Sequence, residues 1–455
     1  MELIVVSRNF EKDGPRAWVI WSLSVIAFGY AFFQRVSPSA MVSDLMRDFQ
    51  ASGTVLGHLS ALYFYPYVVL QVPLGILLDH IGARILISVS LSVAGIGSLM
   101  FATSESLEIA YFSRLLIGLG CASGFIGSLA LSARWFAPER FALLTGLCMF
   151  FAMMSGIAGQ APLASLVAVV GWRWTVNAMG IFALVLALAV YLVVRNAPTE
   201  GGRDQRTVTD RRPFLWSSVT DALLNREVWL ISIVATSFSG PMLAFGGLWG
   251  VPYLMEAYDL SRPVAAMYTS TLFLGWACGA PFMGWISDRI GRRKAPLVLA
   301  AALVTALGAT FAVIPNLPLP AIVGVITILG FAGSSMVITF AYAREVTPAS
   351  IHGAALGIVN GMTVASGAIL QPVIGALLDG SWDGTMVEGA RYYSADGFRQ
   401  AFLSLPIWTG IGFLATLCLR ETNCQPNAEL VLKRTSIPRT ANRSSMSRKF
   451  RGNRK

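Results

Sequence analysis

The sequence predicts an all-α membrane protein with twelve transmembrane helices, arranged as two pseudo-symmetric six-helix bundles. A low charge content, long apolar runs and an internal repeat support this prediction. The 455 residues are 55% hydrophobic and 13% charged, and soluble proteins carry about twice that share of charged residues. The apolar residues occur in runs of roughly 20 to 28, long enough to cross about 30 Å of hydrocarbon at 1.5 Å per residue.

The apolar runs predict the order of the spans along the chain. They lie close to residues 16–42, 54–78, 84–104, 107–132, 139–168, 173–195, 228–256, 263–287, 295–315, 319–345, 353–379 and 397–420. The predicted domains are an N-terminal bundle at 1–195, a cytoplasmic central loop at 196–227, a C-terminal bundle at 228–420 and a basic cytoplasmic tail at 421–455.

The net charge of +10 is distributed unevenly over the loops. An even number of spans places both termini on one side, and the loops of that side carry most of the Lys and Arg. The opposite loops are acidic. Because basic loops remain in the cytoplasm, we predict a multi-pass inner-membrane protein with both termini cytoplasmic. The basic charge is typical of contact with the lipid bilayer, and we expect no nucleic-acid partner. 

The first apolar span lacks a signal-peptide cleavage site and is predicted to be a retained transmembrane helix. We expect the protein to be a monomer.

The two halves repeat at an offset near 210 residues. Gly75-Ile-Leu-Leu-Asp79-His-Ile-Gly82 recurs 209 residues later as Gly284-Trp-Ile-Ser-Asp288-Arg-Ile-Gly291. Ser155-Gly156 followed by Gln160 recurs as Ser366-Gly367 followed by Gln371. Repeats with an even number of spans insert in parallel, related by an axis along the membrane normal.

The repeated loop resembles the signature loop of the major facilitator superfamily, Gly-x-x-x-Asp-(Arg/Lys)-x-Gly-(Arg/Lys)-(Arg/Lys). The second copy is complete, whereas the first has His80 and Ala83 at positions that are usually basic. The resemblance implies a secondary transporter that moves a small-molecule substrate by alternating access, through rocking of the two halves around a central site. The fifth span lacks the Gly-Pro pair of the superfamily's antiporters, which weakens a drug-efflux interpretation.

A narrower resemblance rests on Arg35-Val-Ser-Pro-Ser39, on Arg134-Trp-Phe-x-Pro138-x-Arg140 and on the Gly171-Trp-Arg block. These segments are similar to those of bacterial carriers related to the lysosomal dipeptide transporter and to phagosomal amino-acid transporters. That branch implies amino acids or short peptides as cargo.

The signature loops are candidate conformational latches. An Asp beyond a helix end can pair with a basic residue and with the N-terminus of a neighbouring helix. The alternative is that the basic loops only fix the topology. The predicted latch comprises Gly75, Asp79, Arg84, Gly284, Asp288, Arg289, Gly291 and Arg292.

Two arginines inside predicted spans are the main candidates for substrate binding. Arg35 lies past the middle of the first span, and Arg114 lies about a third of the way into the fourth. A guanidinium at such depth is costly unless it faces a partner or an aqueous cavity. We predict that Arg35 holds a carboxylate. The alternatives are that Arg35 reaches outward to Asp44 or Asp48, and that Arg114 is structural.

Aromatic and amide side chains complete the candidate site. Tyr63 and Tyr67 share one face of the second span, as do Tyr67 and Gln71, although such a stripe also suits helix packing. The predicted substrate-binding set is Arg35, Tyr30, Tyr63, Tyr67, Arg114, Trp249, Trp276 and Asn360.

The sequence predicts no cofactor, no metal site and no enzymatic activity. The three histidines lie at or near span ends, and the five cysteines show no metal-ligand or disulfide spacing. No Asp or Glu lies near the middle of a span, which leaves a proton, another coupling ion and facilitated diffusion all open. The predicted cargo is a small carboxylate-bearing solute, with an amino acid or short peptide first and an organic or inorganic anion second. A solute-binding sensor without transport is the alternative of another class.

Overall fold

The computed structural model describes residues 13–198, 216–315, 317–348 and 351–425. Most of the predicted basic tail, much of the central loop and the side chain of Asp79 lie outside the described part of the chain. The described residues form a helical protein with a single short β-hairpin, Met386–Val387 paired with Ala390–Arg391.

Helices 1 to 6 form the first half, and several are built from consecutive segments. In chain order these segments are Pro15–Val36, Ser37–Met41 and Val42–Asp48 for helix 1, Gly53–Ala61 and the start of Phe64–Ala102 for helix 2, the remainder of Phe64–Ala102 for helix 3, Leu107–Cys121 and Gly124–Trp135 for helix 4, Phe141–Ala158 and Ala161–Val170 for helix 5, and Trp172–Val193 for helix 6.

Helices 7 to 12 form the second half, after a short helix at Trp216–Leu223. In chain order the segments are Arg226–Pro241, the π-helical Met242–Trp249 and Gly250–Tyr258 for helix 7, Arg262–Ile290 for helix 8, Lys294–Val313 for helix 9, Leu319–Gly333 and Met336–Val346 for helix 10, His352–Gly380 for helix 11, and Ala395–Phe402 and Ser404–Cys418 for helix 12.

The structure confirms the predicted all-α, twelve-helix fold. Ten of the described helical stretches are long and apolar enough to cross a membrane. The other two crossings are helices 2 and 8, whose Tyr, Gln, Pro and Gly residues lower their hydrophobicity. Both pack against the opposite half, helix 2 on helix 11 and helix 8 on helix 5. Because one side of each of these two helices is shielded from lipid, they can carry more polar residues than the other spans.

A single residue separates helix 2 from helix 3. Gly82 has a φ of 78° in an otherwise helical stretch, a backbone conformation that glycine adopts without steric cost. The Asn196 side chain fills the space beside it, and Asn196 Oδ1 accepts the backbone N–H of Arg84 at 2.9 Å. The turn between the two helices is thereby fixed to the end of helix 6.

The internal repeat is visible in the packing of helices. At Gly118 in helix 4, a Cβ atom would lie 2.1 Å from the carbonyl oxygen of Tyr63 in helix 2. At Gly330 in helix 10, a Cβ atom would lie 2.0 Å from the carbonyl oxygen of Leu272 in helix 8. Each half thus uses one glycine at an equivalent place to bring two helix backbones into contact.

The two halves meet at the end of the molecule away from the first and last described residues, Asp13 and Gln425. The end that contains these two residues is called the termini end. A Cβ at Gly375 would lie 2.1 Å from the carbonyl oxygen of Gly53 in the other half. At the termini end, a Cβ at Gly75 or Gly284 would meet nothing within 4 Å. Every hydrogen bond recorded between the halves, among the described residues, lies at the closed end or near mid-membrane. The space between the halves therefore opens toward the termini.

Candidate functional site

Arg35 lies near the end of the first segment of helix 1 and faces helix 2. Its guanidinium carbon is 4.9 Å from the ring centroid of Phe32, 5.9 Å from that of Tyr63 and 5.1 Å from that of Tyr67. Only 7% of the residue is exposed, and Nε has no hydrogen-bond partner. No ion pair involves Arg35 within the described ranges, so its charge is held by aromatic faces.

Arg114 lies in helix 4 and is also close to Tyr63. Its guanidinium carbon is 5.5 Å from the centroid of the Tyr63 ring and 6.0 Å from that of Phe101. Nη1 donates a long hydrogen bond of 3.5 Å to the backbone oxygen of Gln34, whereas Nε and Nη2 have no partner. The residue is 2% exposed, and no carboxylate in the described part of the chain pairs with it.

Tyr63 lies close to both arginines. Its hydroxyl donates to the backbone oxygen of Ala31 at 2.7 Å, which anchors helix 2 to helix 1. Its ring stacks on that of Tyr67, with centroids 6.4 Å apart and planes 25° apart. The predicted shared face of Tyr63 and Tyr67 is therefore present, and its Tyr63 ring lies close to both guanidinium groups.

The acidic residues that could have paired with Arg35 are engaged elsewhere. Asp44 binds Arg262 of the other half at 2.6 Å and Arg47 at 3.2 Å. Asp48 accepts the indole N–H of Trp172 at 2.9 Å. The outward-reaching alternative for Arg35 is absent from this structure.

The stripe of helix 2 continues to Gln71. Asn360 of helix 11 donates from Nδ2 to Gln71 Oε1 at 3.0 Å, which joins the two halves. Gln71 is 7% exposed, and its Nε2 has no hydrogen-bond partner. The spacing of four residues from Tyr67 placed Gln71 on this face in the sequence, although the predicted substrate set included only Asn360.

The arrangement is suited to an anion. Two buried positive charges lie around one tyrosine without a counter-ion in the described structure, and removing such charges from water costs several kcal/mol each. An anion placed against Arg35 would offset part of this cost, and a carboxylate would match the two parallel N–H groups of a guanidinium. The described residues show no cluster of His, Cys, Asp and Glu that could hold a metal.

Comparison with known proteins decides the family. The family model of the Major Facilitator Superfamily matches residues 23–249 and 243–449. The chain belongs to the Major Facilitator Superfamily. It is therefore a membrane transporter and not an enzyme. The predicted narrower branch of dipeptide and amino-acid carriers is not established by these matches.

Relatives within the superfamily include two whose names state a cargo. The chain is 26% identical over 315 residues to a putative tartrate transporter of Agrobacterium vitis, covering 63% of this chain and 68% of the relative. It is 22% identical over 414 residues to the probable galactarate/D-glucarate transporter GudP of Escherichia coli, covering 83% and 90%. A bacterial homolog of the human lysosomal transporter Spinster, in an inward-facing and occupied conformation, shares the fold with a TM-score of 0.72 at 14% identity, covering 89% of this chain and 97% of that one.

The superfamily's signature loop forms contacts within each half in this structure. Arg293 binds Asp288 at 2.6 Å and Glu345 of helix 10 at 2.9 Å. Burial lowers the pKa of Arg293, but its hydrogen bonds to Glu345 and Asp288 outweigh burial and raise the pKa above its ordinary value. Arg293 and Glu345 were not in the predicted latch set, since their pairing joins positions 52 residues apart.

The other predicted latch residues have separate roles. Arg84 donates from Nε to the backbone oxygen of Tyr191 at 2.7 Å, within the first half. Arg289 lies over Trp285, its guanidinium carbon 5.4 Å from the ring centroid. Gly291 ends helix 8 with a φ of 68°, and Arg292 is exposed. A latch between the halves stays a prediction, because the termini end is open here.

The other three residues of the predicted substrate set make their described contacts within their own half. Of these, Tyr30 lies within electrostatic range of Arg114. Tyr30 bonds to Ser98 at 3.1 Å, inside the first half. Trp249 donates from Nε1 to the backbone oxygen of Gln371 at 3.0 Å, within the second half. The ring of Trp276 packs against Gly333, where an added Cβ atom would lie 2.9 Å from the ring. The described contacts of these three residues are therefore intramolecular packing contacts.

Proposed function

We propose that this transporter carries small organic anions bearing a carboxylate. The observation that carries the proposal is the pair of buried guanidinium groups of Arg35 and Arg114, both close to the ring of Tyr63 and without a described acidic partner. A substrate carboxylate would supply the missing negative charge. It would also give the unpartnered Arg35 Nε an acceptor.

The names of the relatives support an organic anion. Tartrate, galactarate and D-glucarate, the cargoes named for two relatives, are hydroxylated dicarboxylates, so these names support a cargo with carboxylate and hydroxyl groups. At 22–26% identity such names support the class of cargo and leave its identity to experiment.

An amino acid or short peptide ranks second on physical grounds. A zwitterion brings an ammonium group, and burying it requires a carboxylate or several oxygen acceptors. No acidic side chain pairs with or contacts Arg35 in the described part of the chain, and the nearby Tyr63 hydroxyl already donates to Ala31. The site therefore matches the negative end of an amino acid and offers little to its positive end.

The proposed mechanism is alternating access. The halves are closed at the end away from the termini and apart at the termini end, where Gly75 and Gly284 face open space. The excess of Arg and Lys in the loops of the termini end favours a cytoplasmic location for that end. With this orientation the structure corresponds to the state that exchanges solute with the cytoplasm, and rocking of the halves would expose the site to the other side.

Uptake into liposomes tests the proposal. Purified protein is reconstituted, and counterflow of labelled tartrate, gluconate, nitrate, alanine and a dipeptide is compared between wild type, Arg35→Ala and Arg35→Lys. Arg47→Ala is the matched control, because Arg47 is an exposed arginine in the last segment of helix 1. Loss of a charge-assisted contact predicts a drop of about 10- to 100-fold in carboxylate uptake for both Arg35 variants.

Three outcomes would contradict the proposal. One is carboxylate counterflow in Arg35→Ala at the rate of wild type and of Arg47→Ala. Another is counterflow of alanine or the dipeptide with none of the carboxylates. Nitrate counterflow alone would identify an inorganic-anion carrier and would likewise overturn the proposed cargo.

A further inference from the structure

We infer that Gln71 determines specificity by donating a hydrogen bond to a hydroxyl group of the bound anion, so that the site selects hydroxylated monocarboxylates. The inference rests on the proposed function, because it places the carboxylate of the same ligand at Arg35. It places the other end of that ligand against the amide pair of Gln71 and Asn360, to which each half contributes one residue.

The position of Gln71 defines the direction in which the ligand extends. Tyr63, Tyr67 and Gln71 follow each other at intervals of four residues, about 6 Å apart along one face of helix 2. Arg35 lies beside the first two, with its guanidinium carbon 5.1 Å from the Tyr67 centroid. Gln71 lies one turn further toward the open end. A ligand whose carboxylate rests on Arg35 would therefore reach Gln71 with an atom several bonds away.

The hydrogen bonding of Gln71 is incomplete in a specific way. Its Oε1 accepts from Asn360 Nδ2 at 3.0 Å, and this fixes the orientation of the amide. Its Nε2 is buried and has no partner among the described residues. A buried donor without an acceptor destabilises the protein. A ligand oxygen would remove that cost, and Asn360 acts as the positioning residue that aims the donor.

The chemistry of the amide pair favours a neutral acceptor. Gln71 and Asn360 are uncharged, and no Lys or Arg hydrogen-bonds to either of them in the described part of the chain. A second carboxylate buried at this place would lack a compensating charge, which is costly. A ligand hydroxyl group is uncharged, so its burial requires only hydrogen-bond partners, namely one donor and one acceptor. The ligand class is thus a monocarboxylate with a hydroxyl group several carbons from the carboxylate.

Binding of matched acids tests the inference. Dissociation constants are obtained from ligand-induced thermal stabilisation of the full-length protein in detergent. The four ligands are gluconate and hexanoate, which are six-carbon monocarboxylates with and without hydroxyl groups, and galactarate and adipate, the corresponding dicarboxylates. The variants are Gln71→Leu, which keeps the approximate size, and Asn360→Ala, which releases the Gln71 amide. Thr363→Val is the control, because the Thr363 hydroxyl donates to its own helix at Val359.

The expected result is a change in a ratio within each variant, which does not depend on how much protein folds. Wild type and Thr363→Val should bind gluconate about 100-fold more tightly than hexanoate and about 10-fold more tightly than galactarate. Gln71→Leu should reduce the gluconate-to-hexanoate ratio about 10-fold or more, with hexanoate binding changed less than about three-fold. Asn360→Ala should reduce the same ratio by a smaller factor.

The opposite outcomes separate the inference from the proposed function. Equal binding of gluconate and hexanoate by wild type, tighter binding of galactarate than of gluconate, or an unchanged ratio in Gln71→Leu overturns the inference and leaves a carboxylate carrier standing. Failure of wild type to bind any of the four acids overturns both.

Discussion

Asp379 of helix 11 accepts three hydrogen bonds from the first turn of helix 2 in the opposite half. Its Oδ2 accepts the backbone N–H of Thr54 at 2.8 Å and the Thr54 hydroxyl at 2.6 Å, and its Oδ1 accepts the N–H of Gly53 at 2.9 Å. The N–H groups at the start of a helix lack partners within the helix and attract negative charge. A carboxylate of one half therefore completes the helix terminus of the other, and this contact stabilises closure of the end away from the termini.

The substitution Asp379→Asn is expected to favour opening of that end. The amide nitrogen that replaces Oδ2 would face two donors of Thr54, and the negative charge at the helix terminus would be lost. We expect a cost of about 3 kcal/mol in the closed state, or roughly a 100-fold shift toward the open arrangement. Spin labels are placed at the exposed positions Glu105 and Glu388, in opposite halves. Electron–electron double resonance should then give longer distances between the labels in Asp379→Asn than in wild type.

Asp383→Asn is the matched control for this experiment. Asp383 lies four residues further along the chain, but within the described residues its carboxylate bonds locally to Thr385, whose backbone N–H donates at 2.9 Å. This contact lowers the pKa of Asp383 without joining the halves. If the two variants give the same distance distribution as wild type, Asp379 does not hold the closed end together.

Gly330→Ala is expected to destabilise the protein, because its new methyl group would lie 2.0 Å from the backbone oxygen of Leu272. A backbone atom cannot move aside as a flexible side chain can, so helices 8 and 10 must separate. We expect a loss of about 3 kcal/mol, or failure to fold, measured as the thermal unfolding midpoint in detergent.

Gly324→Ala on the same helix is the control. It meets nothing within 4 Å and should keep or raise the midpoint, since Ala favours a helix over Gly by up to about 1 kcal/mol. Equal midpoints for the two variants would contradict the close approach of these helices.

The ion pair between Arg293 and Glu345 is expected to respond to loss of one partner more than to loss of both. Both side chains are about 10% exposed, so Glu345→Gln leaves a poorly compensated guanidinium and should cost about 3 kcal/mol. Adding Arg293→Met should restore part of the loss. Thermal unfolding of the two single variants and the double variant forms a complete cycle.

Arg420→Met provides the comparison with an exposed pair. Arg420 is 80% exposed and lies 3.8 Å from Glu227, so its replacement should change the unfolding free energy by less than about 1 kcal/mol. Additive effects in the Arg293 and Glu345 cycle would show that the buried pair contributes no more than this surface pair.

The sequence predicted the spans, their repeat and the two central arginines because each depends on local pattern. Apolar length defines a crossing, and a guanidinium in such a segment demands an unusual environment. The grouping of Arg35 with Tyr63 and Tyr67 was also accessible, since it needs only one face of helix 2 and a neighbouring helix.

Other parts of the site depend on contacts that a single sequence does not reveal. Tyr30 precedes Arg35 by five residues, which is about 140° around a helix at 100° per residue, and its side chain consequently lies against helix 3. The bond between Gln71 and Asn360 joins positions 289 residues apart. The ion pair of Arg293 and Glu345 likewise requires helices 8 to 10 to be packed before the partners meet.

Arg114 and Arg35 are expected to differ in which substitutions preserve binding of the transported anion. Arg35 has an unpartnered Nε and lies near three aromatic rings, which suits direct bidentate contact with a carboxylate. Arg114 also has unpartnered nitrogen atoms, but it is more deeply buried and its Nη1 already donates to Gln34. If Arg114 acts through its positive charge, Arg114→Lys should keep the Kd for the transported anion within about three-fold of wild type. Arg114→Met should raise the Kd about 10-fold, because one charge is removed from the surroundings of the ligand. At position 35, Lys should fail nearly as completely as Ala, since an ammonium group cannot reproduce the planar fork of the guanidinium. Binding measured by thermal stabilisation in the four variants decides the matter: a lysine tolerated at 35 but not at 114 would reverse the two roles and place the carboxylate on Arg114.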